Sequence, residues 1–319
     1  LPEFPSLYSF YFMSDDLSPE MVEQIAKSAT IQHLYLKGKR NDSSGMRYTL
    51  QPNIVNPLHQ MENLRKLDLD GRAERETLEA IAGITSLKSL KFDGIVTSGE
   101  DLQVLARMPR LRELDMGYVR TPEEDAYQRA HGNRAYWDLT DATIPSVDLS
   151  ALKEVRSLRK LVMPAMRDNR LEQAGIDQLD QVTEVVTKAD YDSGNLEPLA
   201  SMPNLRSLRL ERVKRMQETL AIVKEFEQLE CLSIGGRHFK NAESDAMGLT
   251  SLKEMPYLVE LELSEPMSLI SSKSRQSLSE LTNLKKLTVY CRGQVPPEHQ
   301  AILDELTKNN PGVEIVVNR

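Results

Sequence analysis

Cysteine is scarce: Cys231 and Cys291 are the only two among 319 residues. Two cysteines build neither a disulfide framework nor a structural zinc site. No CxxC and no HExxH occurs, and the five histidines, His33, His59, His131, His238 and His299, are scattered along the chain. Aromatic residues make up only 5%, with a single tryptophan, Trp137. No apolar run approaches the roughly 20 residues a membrane-crossing helix needs, and no glycine-rich phosphate loop is present. Positive charge is in deficit, 40 Lys and Arg against 48 Asp and Glu, a formal net charge of −8. That balance argues against general binding of nucleic acid or of anionic membranes, while leaving room for a local basic patch. The opening stretch LPEFPSLYSFYFM is apolar but has no basic start and no small-residue cleavage site, so it reads poorly as a signal peptide. Cytoplasmic and secreted settings both fit.

What is abundant is leucine, and it is phased. The pattern LxxLxL begins at Leu7, Ile31, Leu64, Leu87, Leu111, Leu158, Val182, Leu205, Leu229, Leu258 and Leu284. From Leu64 onward the intervals are 23, 24, 47, 24, 23, 24, 29 and 26 residues. A fixed period in this range marks stacked repeats. Length alone suggests about two globular domains. A repeat array escapes that estimate because each repeat packs only on its neighbours.

A second signal precedes each motif. Apolar residues stand nine, six and three positions ahead of it, as Leu78, Ile81 and Ile84 before Leu87, or Leu102, Leu105 and Met108 before Leu111. The first two share one face of a short helix and the third leads into the strand. Proline often follows the third, as in Met108-Pro109, Met202-Pro203 and Met255-Pro256, and ends the helix. Each repeat reads as short helix, turn, strand, loop.

The phased copies resemble the leucine-rich repeat family over essentially all of residues 1–319. The resemblance implies an α/β fold: a right-handed horseshoe solenoid of about 12 repeats, with a parallel sheet on its concave face and short helices on its convex face. It also implies protein binding rather than catalysis. The sequence departs from the family in one respect. Three positions after the last strand leucine stand Arg72, Ile95, Val119, Met166, Asp190, Val213 and Arg237, where many members carry an asparagine ladder. The helix type and the closing PGVEIVV strand look similar to bacterial members.

Irregularities mark the array. Leu1 and Phe4 already occupy helix positions ahead of Leu7, so the chain is expected to open inside a repeat, uncapped, with more protein upstream. Residues 303–319 are expected to close it with a last helix and a strand near 313–317. The stretch 38–52 is a long loop rich in Gly, Ser, Asn and Arg. The stretch 117–148 is about one repeat too long. It is an insertion or a decayed repeat, and it holds Tyr136 and Trp137.

Candidate binding residues follow from strand alternation: leucines point in and the positions between them point out. The outward columns begin aromatic, with Tyr8, Tyr11, His33 and Tyr35. They continue acidic, with Asp68, Asp70, Asp93, Glu113 and Asp115. Tyrosine is enriched at binding hot spots, and an acidic patch suits a partner bearing Arg or Lys. The same residues also suit a solvated sheet face, or, for the tyrosines, packing on upstream repeats. Tyr136 and Trp137 are further candidates in the 117–148 stretch. Asp190-x-Asp192-x-Gly194 lacks the glutamate of a calcium loop, with Ser201 at that place. No pattern activates either cysteine. No catalytic residue, metal or cofactor is therefore expected, and the partner is expected to be a protein of unknown identity. The alternative is that this chain is the recognition portion of a larger enzyme or effector.

Overall fold

The computed structural model describes residues 7–14, 17–37, 50–127, 130, 147–164, 174–188, 196–211, 213, 216–235, 249–264, 277–290, 295 and 297–318. These form two compact units, Leu1–Met166 with Gln173–Gln181, and Arg167–Glu172 with Val182–Arg319. Tyr136, Trp137, Cys291, His238 and the Asp190–Asp192 stretch lie outside the described residues.

The first unit contains strands β1 (Ser9–Met13), β2 (His33–Lys37), β3 (Lys66–Ala73), β4 (Ser89–Val96), β5 (Glu113–Asp115), β6 (Val119–Arg120) and β7 (Lys160–Met163). They pair in parallel in the order β1-β2-β3-β4-β5-β7, with β6 added beside the end of β4. The second contains β8 (Glu184–Thr187), β9 (Ser207–Leu210), β10 (Cys231–Gly235), β11 (Glu260–Ser264), β12 (Lys286–Tyr290) and β13 (Glu314–Asn318), also parallel and in chain order. Every LxxLxL motif lies on a strand, and equivalent leucines share a row, as Leu34↔Leu67↔Leu90↔Leu114↔Leu161. The fold is a leucine-rich-repeat solenoid. The closing strand is Glu314–Asn318, one residue later than its sequence suggests.

Burial explains the phasing. Leu34, Leu67, Leu90, Leu114 and Leu161 are fully buried, and so are the helix-face residues Leu78, Ile81, Leu102 and Leu105. A strand offers one leucine pair to a core this thin, so its other wall must come from the two apolar residues of the preceding helical turn. That demand is modest, and the segments meeting it vary. Pro19–Ala26 is an α-helix capped by Ser18, whose Oγ accepts from the Met21 N–H at 3.4 Å. Glu100–Arg107 and Ser150–Glu154 are 3-10 turns. The link to the strand is uniform. The third apolar residue's carbonyl accepts from the first strand leucine's N–H, as Met61 from Leu64, Ile84 from Leu87 and Met108 from Leu111.

A second set of bonds ties consecutive repeats. In five of the described repeats the residue just before the first motif position is polar and donates to a carbonyl of an earlier turn. Asn63 Nδ2 reaches Ala29 O at 2.9 Å, Ser86 Oγ reaches Met61 O at 3.2 Å and Ser157 Oγ reaches Met108 O at 3.3 Å. Gln181 Nε2 reaches Leu152 O, and Asn283 Nδ2 reaches Pro256 O, each at 2.8 Å. A polar ladder thus stands ahead of the strands.

After the strand leucines, the chain does not always turn away. The register of β3 on β4 shifts at a bulge between Leu69 and Arg72, and pairing resumes as Arg72↔Gly94 and Ala73↔Ile95. Ile95 and Val96 then pair with Val119 and Arg120. Residues 72, 95 and 119 are therefore strand residues. The stretch from 117 begins with this short strand and a helix over 122–127. Thr121 and Glu124 cap that helix reciprocally, each side chain accepting from the other's N–H at 3.2 Å. Sequence charge suggests an exposed helix here, yet Glu124 and Asp125 are buried. Asp125 meets the Arg72 guanidinium, which also binds Glu74.

Candidate functional site

The sequence-derived candidates in the first three strands converge on one corner of the outward sheet face. Parallel register puts Tyr11 beside Tyr35 and Tyr35 beside Asp68. The Tyr11 and Tyr35 rings stack with centroids 4.0 Å apart and planes 4° apart. Tyr35 is half-buried, whereas Tyr11 is 60% and Tyr8 63% exposed, and Met13 on the same edge is 57% exposed. The Tyr35 hydroxyl donates to Asp70 Oδ2 at 3.3 Å. The Lys37 ammonium binds the same oxygen.

A second polar chain runs beside the stack. Ser9 Oγ lies 3.5 Å from His33 Nδ1, and His33 Nε2 lies 3.3 Å from Asp68 Oδ2. The Lys66 ammonium stands 3.8 Å from that same oxygen. The other oxygen of Asp68, Oδ1, is buried and meets no donor among the described residues. An unsatisfied buried acceptor costs about 1–3 kcal/mol.

These contacts alter the picture of an open acidic patch. Asp68 and Asp70 already face cations within the sheet. Asp68 and Asp115 are also buried, as are Ser233 and Thr288 of the same column in the second unit. Short side chains of this column sink between their neighbours, while Lys91 and Arg209 stand clear. Glu113 faces Lys160 at 3.8 Å. Asp115 Oδ1 accepts from the Gly117 N–H at 3.2 Å, which shapes the turn out of β5. Asp93 lies in β4. Glu113 and Asp115 lie two strands beyond β3 and do not join the Tyr11–Asp70 cluster.

The Tyr35 phenol holds its proton well above the usual tyrosine range. Burial is the main cause, followed by the Tyr11 hydroxyl and the Asp70 carboxylate. The Tyr35 ring is thus kept neutral. Cys231 is half-buried on β10, and burial pushes its thiol up, with the carboxylates of Glu260, Glu230 and Glu184 adding to the effect. This is the opposite of the electropositive setting that activates a cysteine.

Sequence reasoning missed the cation partners Lys37 and Lys66. The signal was present, because Lys37 and Asp70 hold the same motif position in consecutive repeats.

Neither a protein-family model nor a curated protein matches the chain. Among solved structures, an internalin from Listeria monocytogenes is similar. It is 15% identical, over 82% of this chain and 78% of that one, at a TM-score of 0.35. A leucine-rich-repeat protein of Leptospira interrogans is 14% identical, over 98% of this chain and 90% of that one, at a TM-score of 0.31. Among the described residues, no helix is long and apolar enough to cross a membrane.

Proposed function

We propose that this chain is a non-catalytic recognition module that binds a protein ligand on the outward face of β1–β3. The observation that carries the reading is the Tyr11–Tyr35 stack, in which one ring is anchored and the other is exposed. A partner meeting Tyr11 finds a ring already ordered by its neighbour, so little side-chain freedom is lost on binding. Tyr8 and Met13 extend the same surface. Asp68 and Asp70 are met by Lys66 and Lys37 within the sheet, so the exposed ring is what the surface offers, and a guanidinium or apolar group from the ligand suits it.

The test is capture of partners by the immobilised chain, comparing the native sequence with Tyr11→Ala and Tyr8→Ala. Binding of a captured protein is then measured directly. Loss of a hot-spot tyrosine should cost about 2 kcal/mol, roughly a thirtyfold weakening. Recovery and affinity unchanged in both variants would remove the β1–β3 face from consideration.

A further inference from the structure

A row of cations in the first unit lies elsewhere, where the strands begin. The residue after the first motif leucine is Arg65, Lys88, Arg112 and Arg159, each immediately ahead of β3, β4, β5 and β7, which are successive in the sheet. Backbone bonds join these four residues directly. The Lys88 N–H donates to the Arg65 carbonyl at 2.7 Å, Arg112 to Lys88 at 2.8 Å and Arg159 to Arg112 at 2.9 Å. Each cation therefore stands one strand spacing from the next, about 4.8 Å, and the row spans roughly 14 Å. Together with Arg110 they line a cleft of about 610 Å³.

Like charges at this spacing repel each other. Turn architecture accounts for part of the row. The Arg65 guanidinium donates to the carbonyls of Glu62 and Ser86 at 2.9 and 3.2 Å. Arg159 donates to those of Arg156 and Gln181 at 2.8 and 3.4 Å. For Arg65, carbonyls hold the guanidinium in place without cancelling its charge. Lys88, Arg110 and Arg112 are exposed, and among the described residues none of them faces a carboxylate. The second unit shows that the motif position does not require this. There Arg206 is followed one strand later by Glu230, and the two pair at 3.4 Å. A chain with a net charge of −8 thus concentrates cations along one strand-start edge.

We infer that this cleft binds a short, extended acidic segment of a protein, a run of Asp or Glu side chains. The length fits, since roughly 14 Å takes four or five extended residues. The chemistry fits, since guanidinium forks pair with carboxylates in a planar, bidentate manner. Among the described residues no aromatic ring lines the cleft, so it lacks the stacking platform of a single-stranded nucleic-acid channel. The acidic balance of the whole chain disfavours a polyanion long enough to run beyond the row.

The experiment uses the full chain and a fluorescein-labelled hexaglutamate peptide, read by fluorescence anisotropy at low and physiological salt. Saturable binding that weakens with salt is expected. Lys88→Glu with Arg112→Glu should weaken it about tenfold or more, because rim charges are reversed rather than removed. Lys88→Gln with Arg112→Gln should lie between. Tyr11→Ala, and Lys224→Glu with Lys253→Glu in the second unit, should leave it unchanged. These controls separate the cleft from the Tyr11 surface. Photo-crosslinking of the peptide to the unaltered chain should map to 109–112 and 157–159, a readout independent of how the variants fold. Four outcomes would overturn the proposal: no saturable binding, equal loss in the Lys224/Lys253 variant, crosslinks elsewhere, or displacement of the peptide by lower concentrations of a heparin oligosaccharide or oligothymidylate.

Discussion

At the scale of single residues, Tyr35 joins structure to a measurable titration. Its folded-state value lies above the ordinary 10.0, so the folded protein favours the protonated phenol. The stability this contributes is complete below pH 10 and is lost as pH rises past that value. Urea unfolding midpoints measured through this range should fall with pH, and Tyr35→Phe should show a shallower fall. Identical slopes for the two proteins would mean that Tyr35 is not linked to folding. The outward direction of Tyr35, Asp68 and Asp70 was legible from strand alternation alone. Their neutralisation was not, because alternation says which way a side chain points and not how far its neighbours overtop it. Asp68 and Asp115 sink because they are short, while Lys91 in the same column stands clear because it is long.

At the scale of elements, strand positions were legible, whereas the segments leaving the strands were legible only in part. The strands are set by phased leucines, a signal carried in every repeat. The pairing of Ile95 with Val119 and the burial of Glu124 and Asp125 depend on contacts between residues far apart in sequence. Arg72 is the clearest case. Read as the place of a missing asparagine, it is the cation that fastens the helix over 122–127 to β3 through Asp125. Both side chains are largely buried, 12% and 7% exposed. Asp125→Ala should therefore destabilise the chain by about 3 kcal/mol, because it leaves a buried guanidinium with less of its counter-charge. Chemical denaturation checks this, and a change below about 0.5 kcal/mol, the scatter of ordinary surface substitutions, would show that the pair does not hold the helix. Gly99 is a second such place. At φ 109° it admits the Asp148 carbonyl so closely that a Cβ would lie 2.1 Å from that oxygen.

At the scale of the molecule, stability in a repeat array is a sum of repeat and neighbour terms rather than the property of one central core. A defect should therefore be felt nearby first. Leu114 is fully buried in β5, and Leu114→Ala should cost about 2–5 kcal/mol. Amide hydrogen exchange should then rise most in β4, β5 and β7, and less in β1. Uniform acceleration across β1–β7 would instead indicate a single cooperative block.

The polar ladder ahead of the strands decides where such a chain tolerates a change of length. Asn63, Ser86, Ser157, Gln181 and Asn283 hold neighbouring turns together from the entry side. The spacing from helix to strand is thereby pinned, and the segments leaving the strands carry no such duty. Added length there would leave the phase of the next repeat unchanged, so intervals of 23, 29 and 47 residues are compatible with one array. Length is free to change on one side of the stack, while the other keeps count.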